Sequence, residues 1–160
     1  MLKFAAIAAL STAMLATAAP AYAGGKKIGN DLAKCQTGNG PAVLVKVNGL
    51  KAATGKIRVQ SYRGVKSEWL KKGRWLHRID IPVTGRNMTF CMPIDQAGTY
   101  GIAVRHDING NGKTEISKDG GGMSNNPSIN IFNLGKPSYK KTAISVGNSV
   151  KSINIRMRYL

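Results

Sequence analysis

The stretch His106-Asp107-Ile108-Asn109-Gly110-Asn111-Gly112-Lys113-Thr114-Glu115 places oxygen-bearing side chains at alternate positions, then a glycine, then an acid. A chain that wraps a hard cation such as Ca²⁺ needs this order: oxygens at positions 1, 3 and 5, a glycine at 6, a further oxygen near 9. On that basis Asp107, Asn109 and Asn111 offer side-chain oxygens, Lys113 a backbone carbonyl, and Glu115 a direct or water-mediated ligand. The chain has 7 acids against 24 Lys and Arg, yet Asp107, Glu115 and Asp119 share this one short segment. The match ends at position 12, where Lys118 stands in place of the bidentate Glu of an EF-hand loop. A second reading fits the same residues: a tight Asx-type turn, with Asp and Asn side chains accepting from the amides that follow and glycines at positive φ.

Two further groups could do chemistry. His106 beside Asp107 could carry a proton in a hydrolase, or donate to a backbone carbonyl and hold the root of the loop. No serine sits in a nucleophile-elbow pattern, there is no His-Glu-x-x-His, and no spaced pair of acids suggests a glycosidase. Trp69 and Trp75 lie among Lys71, Lys72, Arg74 and Arg78, aromatic faces beside cations that suit sugars, phosphorylated headgroups or a membrane interface. The alternative is that at least one Trp caps the open end of the fold while the lysines extend past it.

The ends and the composition bound the setting for this chemistry. Lys3, the Ala- and Leu-rich run from Phe4 to about Thr17, and Ala21-Tyr22-Ala23 form a signal peptide with cleavage after Ala23; the apolar run is shorter than the ~20 residues that span a bilayer. The expected product is periplasmic or secreted, with no transmembrane segment in the mature chain. The whole chain carries a formal charge of +17. Such an excess draws a protein towards polyanions, and for an exported protein anionic envelope components or acidic glycans are the expected partners rather than nucleic acid. Cys35 and Cys91, entering an oxidising compartment, are expected to form one structural disulfide worth roughly 3–4 kcal/mol.

The elements that must position these residues read as strands. Val43, Val45 and Val47 alternate with polar or outward positions, as do Ile57 and Val59. So do Ile79, Ile81 and Val83; Met88, Phe90, Met92 and Ile94; Tyr100, Ile102 and Val104; Thr142, Ile144 and Val146; and Ile153, Ile155, Met157 and Tyr159. Seven half-buried strands with glycine-bearing turns predict an all-β domain, a single antiparallel β-sandwich of immunoglobulin-like or transthyretin-like type, with a small closed barrel as the alternative. Residues 1–23 are the signal, 24–40 a polar leader, and 41–160 the sandwich. Cys91 lies between Phe90 and Met92, so its bridge should clamp the leader onto an outer face rather than cross the interior. Lys66 to Arg78 is expected to begin as one helical turn with Ser67 as N-cap. Asp107 to about Lys141 is a long excursion rich in Gly, Asn, Ser and Pro, in which Gly120-Gly121-Gly122 reads as a flexible turn or an anion-binding nest.

Ala97-Gly-Thr-Tyr-Gly-Ile-Ala-Val-Arg-His-Asp-Ile-Asn-Gly-Asn-Gly-Lys113 resembles the signature of a bacterial exported family catalogued as domain of unknown function 2141. Met123-Ser124-Asn125-Asn126-Pro127 and Lys136-Pro137-Ser138-Tyr139 fit its continuation. The resemblance spans about Val43 to Leu160 and implies an exported, β-rich, immunoglobulin-like domain with no activity established for the family. The chain departs from the pattern at Glu115, where Asp is usual, and at Lys118-Asp119-Gly120-Gly121-Gly122, where a longer and more apolar segment is common. On sequence alone it is therefore a binding or structural module of the envelope, not an enzyme, with Ca²⁺ as a candidate ion.

Overall fold

The computed structural model describes residues 24–160, so the proposed signal peptide lies outside the described residues. Ten strands form among the described residues: β1 (Lys26–Lys27), β2 (Ala42–Asn48), β3 (Lys56–Arg63), β4 (His77–Pro82), β5 (Met88–Pro93), β6 (Gly98–Asp107), β7 (Gly120–Met123), β8 (Ile144–Val146), β9 (Val150–Arg156) and β10 (Arg158–Tyr159). The larger sheet runs β1-β4-β3-β6-β7-β10, with β8 also on β6; the smaller runs β5-β2-β9. The result is a two-sheet sandwich, and among the described residues no sheet closes into a barrel.

Alternation explains why these segments pair as they do. Val43, Val45 and Val47 of β2, Ile57 and Val59 of β3, Phe90 and Met92 of β5, and Ile102 and Val104 of β6 all face one buried core between the sheets. A strand half in water must show period two, and a slip of one residue would turn that whole set outward. Two pairings are parallel, β1 with β4 and β2 with β9, where alternation alone predicted antiparallel neighbours.

The excursion after β6 is more ordered than its composition predicts. Glycines 120–122, read from sequence as a turn or nest, form strand β7 against the second half of β6, while β8 takes the first half. Glycine is required here by contact: a Cβ on Gly120 would enter the ring of Tyr159, and one on Gly122 would lie 2.6 Å from Ile155 Cγ2. Ser124 closes the seam between β7 and β8; its Oγ accepts from Ile102 N (3.0 Å) and donates to the Thr142 carbonyl. The short helix α1 (Tyr139–Thr142) follows, capped by Ser138.

Cys35 and Cys91 are bridged, with Cα atoms 5.6 Å apart. Cys91 points away from the face of Phe90 and Met92, so the bridge fastens the leader, through a 3-10 turn at Leu32–Cys35, onto the outside of the smaller sheet. The leader is not featureless, since Lys26–Lys27 extends the larger sheet beside β4. In place of a helical turn capped by Ser67, a single turn closes two residues earlier, where Trp69 N donates to the Val65 carbonyl at 3.0 Å. Residues 64–74 run through hydrogen-bonded turns, with Leu70 at φ 54° and Gly73 at φ 74° breaking any helix.

Candidate functional site

His106 ends the inward face of β6 and is fully buried. Its Nε2 lies 2.8 Å from the Thr54 carbonyl, which can only accept, so Nε2 carries the proton. Its Nδ1 lies 2.7 Å from the Tyr159 hydroxyl, and that hydroxyl in turn accepts from Lys51 N at 2.9 Å. One chain of hydrogen bonds therefore ties β6, β10 and the 48–56 connection together. Both ring nitrogens are engaged, which leaves neither for a substrate. Burial, set against the Lys51 amide, raises the Tyr159 pKa and keeps the phenol a donor.

The Asp107 loop folds on its own amides. Asp107 Oδ2 accepts from Gly112 N (2.8 Å), Asn109 Oδ1 from Asn111 N (3.1 Å), and Asn111 Oδ1 from Lys113 N (2.8 Å), with Gly110 and Gly112 at positive φ. These are Asx turns in series. The Asn109 and Asn111 amide groups then donate to Glu115 Oε2 at 2.7 and 2.8 Å. Those two bonds, with Lys118, hold the Glu115 carboxyl below its ordinary pKa. The asparagine carbonyls expected to face an ion thus face the backbone. Two oxygens remain unused: Asp107 Oδ1 and Asp119 Oδ1 are buried without a hydrogen-bond partner. Among the described residues no group of three His, Cys, Asp or Glu is placed to hold a metal ion.

The tryptophan segment is largely spent on the fold. Trp69 is 7% exposed, donates Nε1–H to the Pro137 carbonyl at 2.8 Å, and meets Tyr62 edge to face. With Tyr62, Ala103 and Met123 it forms a second apolar cluster, on the outer face of the larger sheet. Gly101 permits this, since a Cβ there would lie 2.5 Å from the Trp69 ring. Trp75 is half-buried: Gly25 of the leader lies against its ring, and the Arg78 guanidinium stands 5.8 Å from its centre. Trp69 is therefore no open platform, and Arg78 is turned to Asp80. Lys71, Lys72 and Arg74 stay exposed.

What the sequence did not reveal is a row of guanidiniums on that outer face. Register sets Asp80 opposite Arg58, Arg58 opposite Arg105, Arg105 opposite Gly121, and Gly121 opposite Arg158. Each arginine holds an outward position next to a core residue, but they lie far apart in the chain and only the strand order collects them. Between this row, the Asp107 loop and the segment after Met123 runs a groove of about 450 Å³. Arg58, Arg105, Arg158 and Lys136 line it, with Tyr62, Leu70, Met123 and Ile129 as an apolar wall. Asp119 is the one acid among the lining residues.

Asp80 is shared by Arg58 (2.7 Å) and Arg78, and Asp107 meets Arg105 at 3.3 Å. Among the described residues Arg158 and Lys136 have no ion pair, and Arg105 Nε is buried without a partner. Burial, then Arg58, with a smaller contribution from Arg78, depress the Arg105 pKa, which Asp107 and Asp119 oppose. The groove thus holds more positive charge than its carboxylates balance. A second depression, of about 640 Å³, shares Leu70 and Lys136 and adds Lys66, Lys71 and Lys140.

Fold and surface together define a disulfide-linked β-sandwich domain with a basic groove outside its larger sheet. A family model described as "Uncharacterized protein conserved in bacteria (DUF2141)" matches residues 45–154, and the chain belongs to that family. No curated protein and no solved structure matches it. Among the described residues no helix is long and apolar enough to cross a membrane.

Proposed function

We propose that the protein is a non-catalytic, exported module of the bacterial envelope, periplasmic or secreted, that binds anionic envelope components such as phosphate- or carboxylate-bearing polymers and acidic glycans. The observation that carries this reading is the Arg58–Arg105–Arg158 row, with Lys136 across the groove. Guanidiniums present planar, paired donors to phosphate and carboxylate, and here two of the four cations have no internal counter-ion. The disulfide fits an oxidising compartment. Of the residues expected to bind at Trp69–Arg78, Trp69 and Lys71 line the adjoining depression.

The test is titration of the mature, oxidised protein with soluble polyphosphate at low and high salt. Binding should weaken steeply with ionic strength, and Arg158→Glu with Lys136→Glu should abolish it. Equal affinity in the double variant would overturn the assignment.

A second reading keeps Ca²⁺ at the loop, because Asp107 Oδ1, at the end of β6, and Asp119 Oδ1, just before β7, are buried and unpaired. It requires the Asn109 and Asn111 side chains to turn over and release Glu115. The hydrolase alternative at His106 and Asp107 has no comparable observation in its favour.

A further inference from the structure

The groove's rim carries a second property that free anion binding does not use. Phe132 is 91% exposed and Leu134 65% exposed, and Leu134 also lines the groove. A loop tip shows apolar groups by chance when it is loose, and this one is braced. Asn130 and Asn133 exchange backbone and side-chain bonds (Asn133 Oδ1 from Asn130 N at 3.2 Å, Asn130 Oδ1 from Asn133 N at 3.1 Å). Asn133 also accepts from Gly135 N at 3.1 Å and donates to the Ser128 carbonyl at 2.7 Å. Leu134 is held at φ 47°, a conformation unusual for a branched residue. The backbone thus fixes a phenyl ring and an isobutyl group outward, and Leu134 shares the groove with Ile116 and Leu160, which are each more than 40% exposed.

The stretch of chain that carries that tip is charged with one sign. From Gly120 to Leu160 the sequence holds six Lys and Arg and no Asp or Glu. Lys136, Lys140 and Arg158 stand exposed about the two depressions. Apolar groups projecting through a ring of cations match a surface with phosphates outside and hydrocarbon just beneath. A soluble polyanion would leave Phe132 in water, and a second copy of this basic face would be repelled.

We propose that the groove face docks on an anionic phospholipid bilayer, Phe132 and Leu134 entering the acyl boundary while Arg158 and Lys136 meet lipid phosphates. The proposal rests on the anion-binding reading above and adds the partner's chemistry to it.

The experiment is sedimentation of the mature protein with vesicles of phosphatidylcholine alone and of phosphatidylcholine with phosphatidylglycerol. Soluble polyphosphate is titrated in parallel. Binding is expected on the anionic vesicles only. Phe132→Ser with Leu134→Asn should weaken vesicle binding by at least about tenfold, since two apolar side chains lose their transfer from water, and Phe132→Ser alone, which spares the groove lining, should weaken it in part while leaving polyphosphate binding unchanged. Asn accepts the left-handed backbone at position 134, so the loop keeps its shape. Fluorescence of a Phe132→Trp variant should be quenched by lipids brominated in the acyl chain. Equal vesicle binding by the double variant, or no quenching, would overturn the insertion. Polyphosphate binding without vesicle binding would overturn the bilayer and leave the anion-binding function standing; neither binding would remove both. Self-association lost in the double variant would assign the apolar tip to a second copy instead.

Discussion

Tyr159→Phe isolates one oxygen of the buried chain that runs through His106. The ring stays, with its contact on Gly120, and only the hydroxyl bonds to His106 Nδ1 (2.7 Å) and Lys51 N (2.9 Å) are removed. His106 is fully buried, so its Nδ1 is left without a partner, which costs about 1–3 kcal/mol. Lys51 is exposed, and water can replace the bond to its amide at little net cost. The expected loss is therefore about 2 kcal/mol. With an unfolding entropy of about 2.1 cal/mol/K per residue, a domain of this size should melt about 7 °C lower. The assay is thermal unfolding of the oxidised protein followed by circular dichroism, with urea titration to check that the m-value is unchanged. Tyr139→Phe serves as the control: that ring is half-buried and its hydroxyl has no partner among the described residues, so its midpoint should move by less than about 2 °C. A Tyr159→Phe midpoint within about 2 °C of the wild type would refute the claim that His106 depends on this partner.

Three further outcomes follow from the same structure. Reducing the Cys35–Cys91 bridge, which closes a loop of sequence separation 56, should cost about 4 kcal/mol by the chain-entropy argument, read as the difference in midpoint with and without reductant. Burial opposes ionisation of Asp80, but its bonds to Arg78 and Arg58 outweigh burial and place its pKa below the ordinary value. Its contribution is then present above about pH 4 and lost as pH falls through the lower folded value, so Asp80→Asn should be less stable at neutral pH and converge with the wild type in acid. Tyr159 and Tyr100, raised chiefly by burial, act at the other end, and stability should fall above about pH 10. For the Ca²⁺ reading, a site of the affinity of extracellular modules, about 0.1–1 mM, would raise stability by about 1.4–2.7 kcal/mol in 10 mM Ca²⁺, a rise absent in EDTA and in Asp107→Ala. An unchanged midpoint would leave the loop as a run of Asx turns.

The strands with one wet face were legible because burial on one side writes a period of two into β2, β3, β4, β5, β6 and β9. Strand β7 was not, since Gly120, Gly121 and Gly122 have no side chains to alternate; their identity is dictated by Tyr159, Ile155 and Met157 lying over them. Parallel pairing of β2 with β9 leaves no mark in either segment. Parity placed the Cys91 side chain, and hence the disulfide, on the outer face. The spacing of Trp69 and Trp75 among cations could not reveal that Pro137, a long way off in sequence, returns to bury the first of them. Arg58, Arg105 and Arg158 each looked like a solvated strand position, and their alignment exists only in the register.

Asn126 has a consequence for how these molecules behave in a crowd. β9 is the outermost strand of the smaller sheet, and such an edge offers free amides and carbonyls to any passing chain. Asn126 Oδ1 accepts from Arg156 N at 2.8 Å, and its Nδ2 donates to the Asn154 carbonyl at 2.9 Å. A single carboxamide therefore impersonates a short piece of neighbouring strand and shields those two groups of the rim. Asn126→Gly, which accepts the left-handed backbone at φ 48°, would unmask them with little change in the melting point, because both groups can turn to water. The deficit would surface instead on concentration and storage, as edge-to-edge pairing of one protein's sheet with the next.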